Sequence, residues 1–284
     1  MKTLLIPTDF SDNARHAAEY GYYLAKQMRA NVLLCNAVIV PAEMPQTGFT
    51  GWLGGESELL MEDSTDELQR LKAHLELIDR TDTFRPQVGY VNDAGRVTDA
   101  VNANSAAADV SLVVIGKHGA SGWSGFLLAN HTNALIDAAK KPLLIVPSQA
   151  HLETVKKIAF ATDFNKLGKD LKSIYELIAL ARPLKAEILL THVYTEKHIS
   201  SALKPVIDLL MTELSNKANY PHIYYRELEN NNIEKGLTWL CEHGQVDILA
   251  MNHGSYSVIG DIFNLSHTKK MAAHLSVPLL VFQA

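Results

Sequence analysis

Short apolar runs alternate along the chain with longer segments in which apolar residues recur every three or four positions. The short runs are rich in Ile, Leu and Val, as buried strands are, and the longer segments have the periodicity of helices with one buried face. This alternation predicts an α/β fold, a parallel sheet with helices on both faces. The predicted strands lie near residues 3–8, 31–37, 86–92, 111–116, 142–147, 157–162, 187–193, 221–228, 246–251 and 278–283.

Three of the intervening segments show the helical pattern most clearly. The first begins at Ser11 or Asp12, either of which can cap a helix N-terminus, and runs to about Arg29. The other two are long helices at residues 56–80 and 198–219. Helices of this length between strands are the connections that parallel pairing requires.

The order of elements occurs twice. KTLLIPTDFSDNA at residues 2–14 is echoed by KKIAFATDFNKLG at 156–168, and ADVSLVVIGKHG by QVDILAMNHG. Two further pairs keep the same order along the chain, ANVLLCNAV with AEILLTHVY and HTNALIDAAKKPLLIV with HTKKMAAHLSVPLLVF. Self-similarity on this scale predicts two domains of one fold. We place them at residues 1–149 and 154–284.

Composition narrows the functional class. The chain has 284 residues, of which 47% are hydrophobic, and a net charge of −5. Mild acidity without a basic block argues against nucleic acid as a partner, and the apolar runs are far shorter than the about 20 residues of a membrane-spanning helix. Cys35 and Cys241 are too few for a disulfide framework or a four-cysteine zinc site. We therefore expect a cytoplasmic protein that contacts neither membranes nor nucleic acid.

Two strand-to-helix turns carry the candidate chemistry, because ligands of open parallel sheets bind at the carboxyl ends of strands. The first is Pro7-Thr8-Asp9, whose carboxylate either binds a ligand or only caps the following helix. The second begins with Gly116-Lys117-His118-Gly119 and continues with a glycine at every third residue. Such a loop is typical of a phosphate cradle, and a turn whose glycines serve only backbone geometry is the alternative.

Several catalytic classes lack their motif. The sequence contains neither GxxxxGK[ST] nor GxGxxG, so a P-loop ATPase or a dinucleotide enzyme is not indicated. GxSxG and HExxH are also missing, which argues against a serine hydrolase and a zinc protease. We expect no catalytic residue and no metal ligand.

The PTDFS turn, the ADVSLVVIGKHG segment and the HT-containing helix start followed by KKPLLIV together resemble the universal stress proteins, here in tandem. In that family each domain is a five-stranded parallel α/β sandwich with the strand order 3-2-1-4-5. The domains pair through their last strands, so the resemblance implies an internal pseudo-dimer. Many members bind ATP through the motif G-x-x-G, nine residues, then G-(Ser or Thr).

The resemblance implies that the first domain binds an adenine nucleotide, ATP or AMP, with or without Mg. The implied binding positions are Pro7, Thr8, Asp9, Ala37, Gly116, Lys117, His118, Gly119, Asn130, His131 and Thr132. Among them, Asp9 corresponds to the acid near adenine and ribose, and Ala37 to a residue whose main chain contacts adenine.

The motif departs from the family pattern in both copies. In the first copy, Ala129-Asn130 stands where the family has Gly-Ser. In the second copy, Met251 occupies the position of the first glycine, and Gly254 matches the second. The second domain is therefore interpreted as a degenerate copy with a structural or pairing role.

Three functions remain open. The leading hypothesis is a stress-response protein that binds nucleotide in its first domain and acts as a sensor or regulatory module toward a protein partner, with a homodimer of the tandem chain also compatible. The second is an enzyme with slow ATP hydrolysis, although no general base beyond Asp9 is evident. The third is a nucleotide-independent scaffold, or a binder of lipid or another small molecule, that uses the inserted stretch Gly48–Gly55 and its Trp52. A lid folded onto its own domain is the alternative for that stretch.

Overall fold

The computed structural model describes residues 1–39, 53–81, 83–117, 132, 134–194, 203–253, 271–272 and 275–283, with side chains in the second range from residue 58 onward. The strands are β1 (Thr3–Pro7), β2 (Asn31–Val38), β3 (Val88–Ala94), β4 (Val110–Gly116), β5 (Leu143–Val146), β6 (Lys157–Ala161), β7 (Glu187–Tyr194), β8 (Ile223–Glu229), β9 (Ile248–Asn252) and β10 (Leu279–Phe282). The helices are α1 (Asp12–Met28), α2 (Leu53–Ile78), α3 (Val97–Ser105), α4 (Leu167–Leu184), α5 (Leu203–Lys217) and α6 (Ile233–His243), and residues 134–138 are also helical.

The chain divides into two compact units, Met1–Lys141 and Pro142–Ala284. In unit 1 the strand order is β3-β2-β1-β4, and the neighbouring strands are parallel. In unit 2 the order is β5-β10-β9-β6-β7-β8, parallel except for the antiparallel pair of β5 and β10. The predicted α/β class with a mostly parallel sheet is confirmed. The boundary between the two compact units places β5 in unit 2, whereas the domains predicted at 1–149 and 154–284 place this strand in the first domain. The internal pseudo-dimer stays a prediction.

The first strand and helix of unit 1 form the centre of its core. Leu4, Leu5 and Ile6 of β1 are all fully buried, because helices cover both faces of a parallel sheet. Ser11 is the N-cap of α1, and its Oγ accepts a hydrogen bond from the backbone N–H of Ala14. α1 packs on β1 and β4, which places its first turn beside the carboxyl ends of these strands.

Two predicted strands begin later than the sequence pattern indicates. The pattern starts the third strand of each half at Pro86 and Pro221, but β3 begins at Val88 and β8 at Ile223. Proline lacks the N–H that a strand ladder requires, so pairing starts only after it. The predicted helix 56–80 corresponds to α2, whereas 198–219 corresponds to α5 from Leu203 onward, with residues 198–202 outside the described ranges.

Candidate functional site

Unit 1 has an open cleft at the carboxyl ends of β1, β2 and β4, with an empty volume of about 780 Å³ that includes the solvent at its mouth. Its lining includes the predicted site residues Pro7, Thr8, Asp9, Ala37, Gly116 and Thr132. Lys117 follows Gly116 directly and is half-buried. The predicted positions His118, Gly119, Asn130 and His131 lie outside the described residues, as do residues 48–52 of the glycine-rich insertion. Six predicted residues from four separate stretches of the chain thus line one cleft.

A tightly bonded turn connects β1 to α1. The backbone N–H of Thr8 donates to the Cys35 carbonyl oxygen at 2.9 Å, and the Thr8 Oγ1 accepts from the backbone N–H of Phe10 at 3.0 Å. Asp9 Oδ1 accepts from both the backbone N–H and the Oγ of Ser11, at 3.1 and 2.6 Å. Ser11 therefore caps the helix, while Asp9 organises the turn and lines the cleft.

Phe10 lies between these residues in the left-handed region, with a φ of 63°. A residue other than glycine is rarely held in this conformation, and it persists only where its surroundings determine it. Here the hydrogen bonds on both sides of Phe10 hold the turn, so the Thr8 and Asp9 side chains are placed at the cleft by fixed backbone.

The glycine at position 116 serves backbone packing. A Cβ at Gly116 would lie 2.6 Å from the carbonyl oxygen of Asn13 and 3.1 Å from the nitrogen of Ala14, both in the first turn of α1. A residue with a Cβ cannot be accommodated here without a shift of the backbone, because Cβ atoms in proteins essentially never lie within 3.0 Å of such a neighbour. Of the two interpretations of the glycine-rich turn, this residue supports backbone geometry, and it contributes to the cleft through its main chain.

Two titratable groups at the cleft are affected by burial. Desolvation lowers the pKa of the Lys117 ammonium from its usual value. Desolvation, with a smaller contribution from the Asp93 carboxylate, raises the pKa of the Cys35 thiol to about 12. Cys35 is therefore protonated at neutral pH and is a poor nucleophile.

The sequence did not identify several residues of the cleft. One side is formed by Val97, Ala100 and Val101, which recur at helical spacing on α3. Asn36, one residue before Ala37, is also in the lining. A helical pattern in residues 97–101 was the available signal for the apolar side, whereas nothing in the sequence distinguishes Asn36 from a surface asparagine.

Unit 2 repeats the turn but surrounds it with buried groups. Phe164 has a φ of 57°, and its N–H donates to Thr162 Oγ1 at 2.9 Å, as in the first copy. The Thr162 Oγ1 in turn donates to Asp170 Oδ2 at 2.8 Å, and the Asn252 amide donates to Asp170 Oδ1 at 2.8 Å. Thr162, Asp170 and Asn252 are each 1% exposed. Met251, at the position of the missing glycine, is fully buried.

Neither a cluster of metal-ligating side chains nor a membrane-spanning helix is present in the described part of the chain. No group of three or more His, Cys, Asp or Glu side chains is arranged there to hold a metal ion. Among the helices of that part, none combines the length and the apolar character needed to cross a bilayer.

The model of the universal stress protein family matches residues 1–147. The chain belongs to the universal stress protein family. The curated relative Universal stress protein Slr1230 of Synechocystis sp. is 25% identical, and the alignment covers 100% of both chains. This membership associates the protein with the response to stress.

Solved structures show the same fold. A universal stress protein from Archaeoglobus fulgidus has a TM-score of 0.65 at 17% identity, over 99% of this chain and 96% of that one. A putative universal stress protein from Pseudomonas aeruginosa has a TM-score of 0.54 at 12% identity, over 100% of this chain and 93% of that one. Both matches extend over both halves, so the fold of the whole chain is that of these proteins.

Proposed function

We propose that the cleft of unit 1 binds an adenine nucleotide, ATP or AMP, and that the protein acts as a nucleotide-dependent sensor or regulatory module in the stress response. The observation that carries this proposal is the convergence of Pro7, Thr8, Asp9, Ala37, Gly116 and Thr132 on one cleft. These residues come from four separate stretches of the chain, and the resemblance assigns each of them to the nucleotide.

The chemistry of the lining fits the parts of such a ligand. The apolar side made by α3 and Ile39 suits the faces of a purine. The Asp9 carboxylate and the hydroxyls of Thr8 and Thr132 suit the hydroxyls of a ribose. Lys117, next to Gly116, would supply positive charge to phosphates, and the N-terminus of α1 adds its dipole.

The same lining favours binding over turnover. Asp9 is the one carboxylate among the described residues of the cleft, and its Oδ1 already accepts two hydrogen bonds from Ser11. The Cys35 thiol is held protonated by burial, which raises its pKa to about 12. Weak ATP hydrolysis is the most that we expect from these groups.

The test uses the internal repeat as its control. Nucleotide released from gently purified protein is identified by chromatography, and ATP and AMP affinities are measured for the parent, Asp9→Ala and Asp163→Ala. We expect bound nucleotide in the parent, at least about tenfold weaker affinity in Asp9→Ala from the loss of a charged hydrogen-bond partner, and unchanged affinity in Asp163→Ala. A ligand at 100 times its Kd stabilises the folded protein by about 2.7 kcal/mol, so thermal unfolding gives an independent measure.

Two results would overturn the proposal. One is a parent protein that carries no nucleotide and is not stabilised by millimolar ATP or AMP. The other is a loss of affinity in Asp163→Ala that equals the loss in Asp9→Ala, which would place binding elsewhere.

A further inference from the structure

A chain of buried amide and hydroxyl groups runs from the cleft to α2. Asn36 lines the cleft at the end of β2, and its Nδ2 donates to the carbonyl oxygen of Thr8 at 2.7 Å. Its Oδ1 accepts from the Oγ of Ser64 at 2.8 Å. Ser64 belongs to α2, which packs on β2 and β3. Two hydrogen bonds therefore connect this helix to the turn that carries Asp9.

The same network of hydrogen bonds also reaches β3. Ser64 Oγ also lies 3.1 Å from Asn92 Oδ1, and Asn92 is in register with Asn36 on the neighbouring strand. The Asn92 amide donates to the carbonyl oxygen of Met61 and to Thr65 Oγ1, each at 2.9 Å. These donations orient the Asn92 amide so that its oxygen faces Ser64.

The Ser64 hydroxyl has one proton for its contacts with Asn36 and Asn92. Each amide group uses its nitrogen elsewhere, so Ser64 faces two oxygens, Asn36 Oδ1 and Asn92 Oδ1. A serine hydroxyl donates only one hydrogen bond. The hydroxyl is closer to the Asn36 oxygen, at 2.8 Å against 3.1 Å, so its hydrogen bond goes mainly to the residue that supports the Thr8 carbonyl. Loss of this bond would remove support from the turn and an anchor of α2 together.

Unit 2 keeps the first connection and changes the second. His192 occupies the position of Asn36, and its Nδ1 donates to the Thr162 carbonyl oxygen at 2.9 Å. Its register neighbour is Glu227, where unit 1 has Asn92. The pair of amide oxygens that faces Ser64 is thus a feature of unit 1, and the corresponding strand positions of unit 2 carry His192 and Glu227.

We propose that Ser64 is a positioning residue for the cleft, whose hydroxyl couples the packing of α2 to the Thr8–Asp9 turn, so that a ligand in the cleft and docked α2 stabilise each other. The consequence for ligand binding rests on the function proposed above. The coupling itself is a property of the ligand-free protein. α2 would then be the element that reports the state of the cleft to a partner.

Ser64→Ala and Gln69→Ala make a matched pair of variants. Gln69 also joins α2 to β3, through a hydrogen bond from its Nε2 to the Tyr90 hydroxyl at 3.2 Å, but it has no contact with Asn36 among those the structure describes. Gln69→Ala removes a hydrogen bond between α2 and β3, whereas Ser64→Ala removes the contacts of α2 with Asn36 on β2 and with Asn92 on β3. Only Ser64→Ala breaks the chain to the turn, and Ser64→Thr restores the hydroxyl.

The first experiment measures hydrogen exchange at the amides of Phe10 and Ser11 without ligand. We expect exchange about five- to tenfold faster in Ser64→Ala, the equivalent of about one net hydrogen bond, with Gln69→Ala and Ser64→Thr close to the parent. Equal rates in Ser64→Ala and Gln69→Ala would overturn the proposal. If Ser64→Ala does not fold, Ser64→Thr and Gln69→Ala still decide it, because faster turn exchange in either one contradicts the coupling.

The second experiment adds ATP and follows α2. In the parent we expect ATP to slow hydrogen exchange in α2. In Ser64→Ala we expect this protection to be lost. We also expect the affinity for ATP to fall about five- to tenfold, the equivalent of about one net hydrogen bond. Protection of α2 that persists in Ser64→Ala would contradict the proposal. Failure of the parent to bind ATP or AMP would refute the proposed function instead, and the ligand-free measurement would still test the coupling.

Discussion

Asp170 offers a sharp test of how unit 2 is held together. In Asp170→Ala the Thr162 hydroxyl and the Asn252 amide each lose an acceptor that lies 2.8 Å away. All three residues are 1% exposed, so bulk water does not reach the two donors in the parent. A buried donor left without a partner costs about 1–3 kcal/mol. Two such donors, offset in part by the removal of a buried carboxyl, lead us to expect a loss of about 2–4 kcal/mol.

Asp170→Asn is the matched variant, because it keeps the shape and an acceptor for Asn252. We expect it to lose less than about 1 kcal/mol, since only the hydrogen bond to Thr162 must be rearranged. Urea unfolding, followed by a probe in each unit, separates the two stabilities. In a thermal scan the Asp170→Ala loss corresponds to about 5–15 °C.

The pH dependence has a definite sign. Burial is the main reason that the pKa of Asp170 is raised above its ordinary value of 3.8, with the Asp163 carboxylate adding to the effect. The hydrogen bonds from Thr162 and Asn252 and the charge of Lys166 act in the opposite direction. The folded state therefore holds the proton more tightly, and the contribution to stability that is present below 3.8 is lost as the pH rises through the folded pKa.

The parent should consequently lose stability relative to Asp170→Asn as the pH rises from 3 to 7, because only the parent has the carboxyl group that must ionise while buried. A difference that is flat with pH, or an Asp170→Ala variant as stable as the parent, would refute this account of the cluster.

Three further predictions concern unit 1 and one matched glycine. Gly116→Ala should destabilise by about 1–3 kcal/mol, because the Cβ meets the α1 backbone, whereas Gly168→Ala, with open space around its Cβ, should stabilise by up to about 1 kcal/mol in urea unfolding. Desolvation raises the pKa of Asp79, but hydrogen bonds from Lys26 and Thr81 outweigh it and lower the pKa to about 2. The free energy of unfolding should therefore fall as the pH drops from 3.8 towards 2. Lys26→Met should make this loss of stability at acid pH smaller, and an unchanged loss would contradict the pairing of Lys26 with Asp79. Cys35, with its pKa raised to about 12, should resist alkylation at pH 8 in the folded protein, and rapid labelling would show that the thiol is not buried as described.

The Thr8-Asp9-Phe10 turn illustrates what can be predicted locally. Its polar residues after an apolar run predicted the end of a strand, a capped helix and a candidate ligand contact. The structure contains the end of β1 and Ser11 as the N-cap of α1. It places Asp9 at the cleft, where its contact with a ligand stays a prediction. The left-handed conformation of Phe10 was not predicted, because the residue type argues against it.

The contacts of Ser64 illustrate what could not be predicted. Asn36 and Asn92 are each 28 residues away from Ser64 in sequence. They meet because β2 and β3 pair in register and α2 packs across both strands. Helical periodicity placed Ser64 on a helix, but the partner of a polar residue depends on which strand lies beneath it.

The sequence by itself determined the α/β class, the internal repeat and the positions of most strands, because periodicity, turn residues and proline act over a few neighbouring positions. The tertiary structure alone decided that Gly116 is needed for the close approach of α1, that Asp170 joins two strand ends in unit 2, and that Asn36 lines the cleft. Each of these depends on the distance between segments far apart in the chain. That distance is set by strand order and helix packing, which no local pattern encodes.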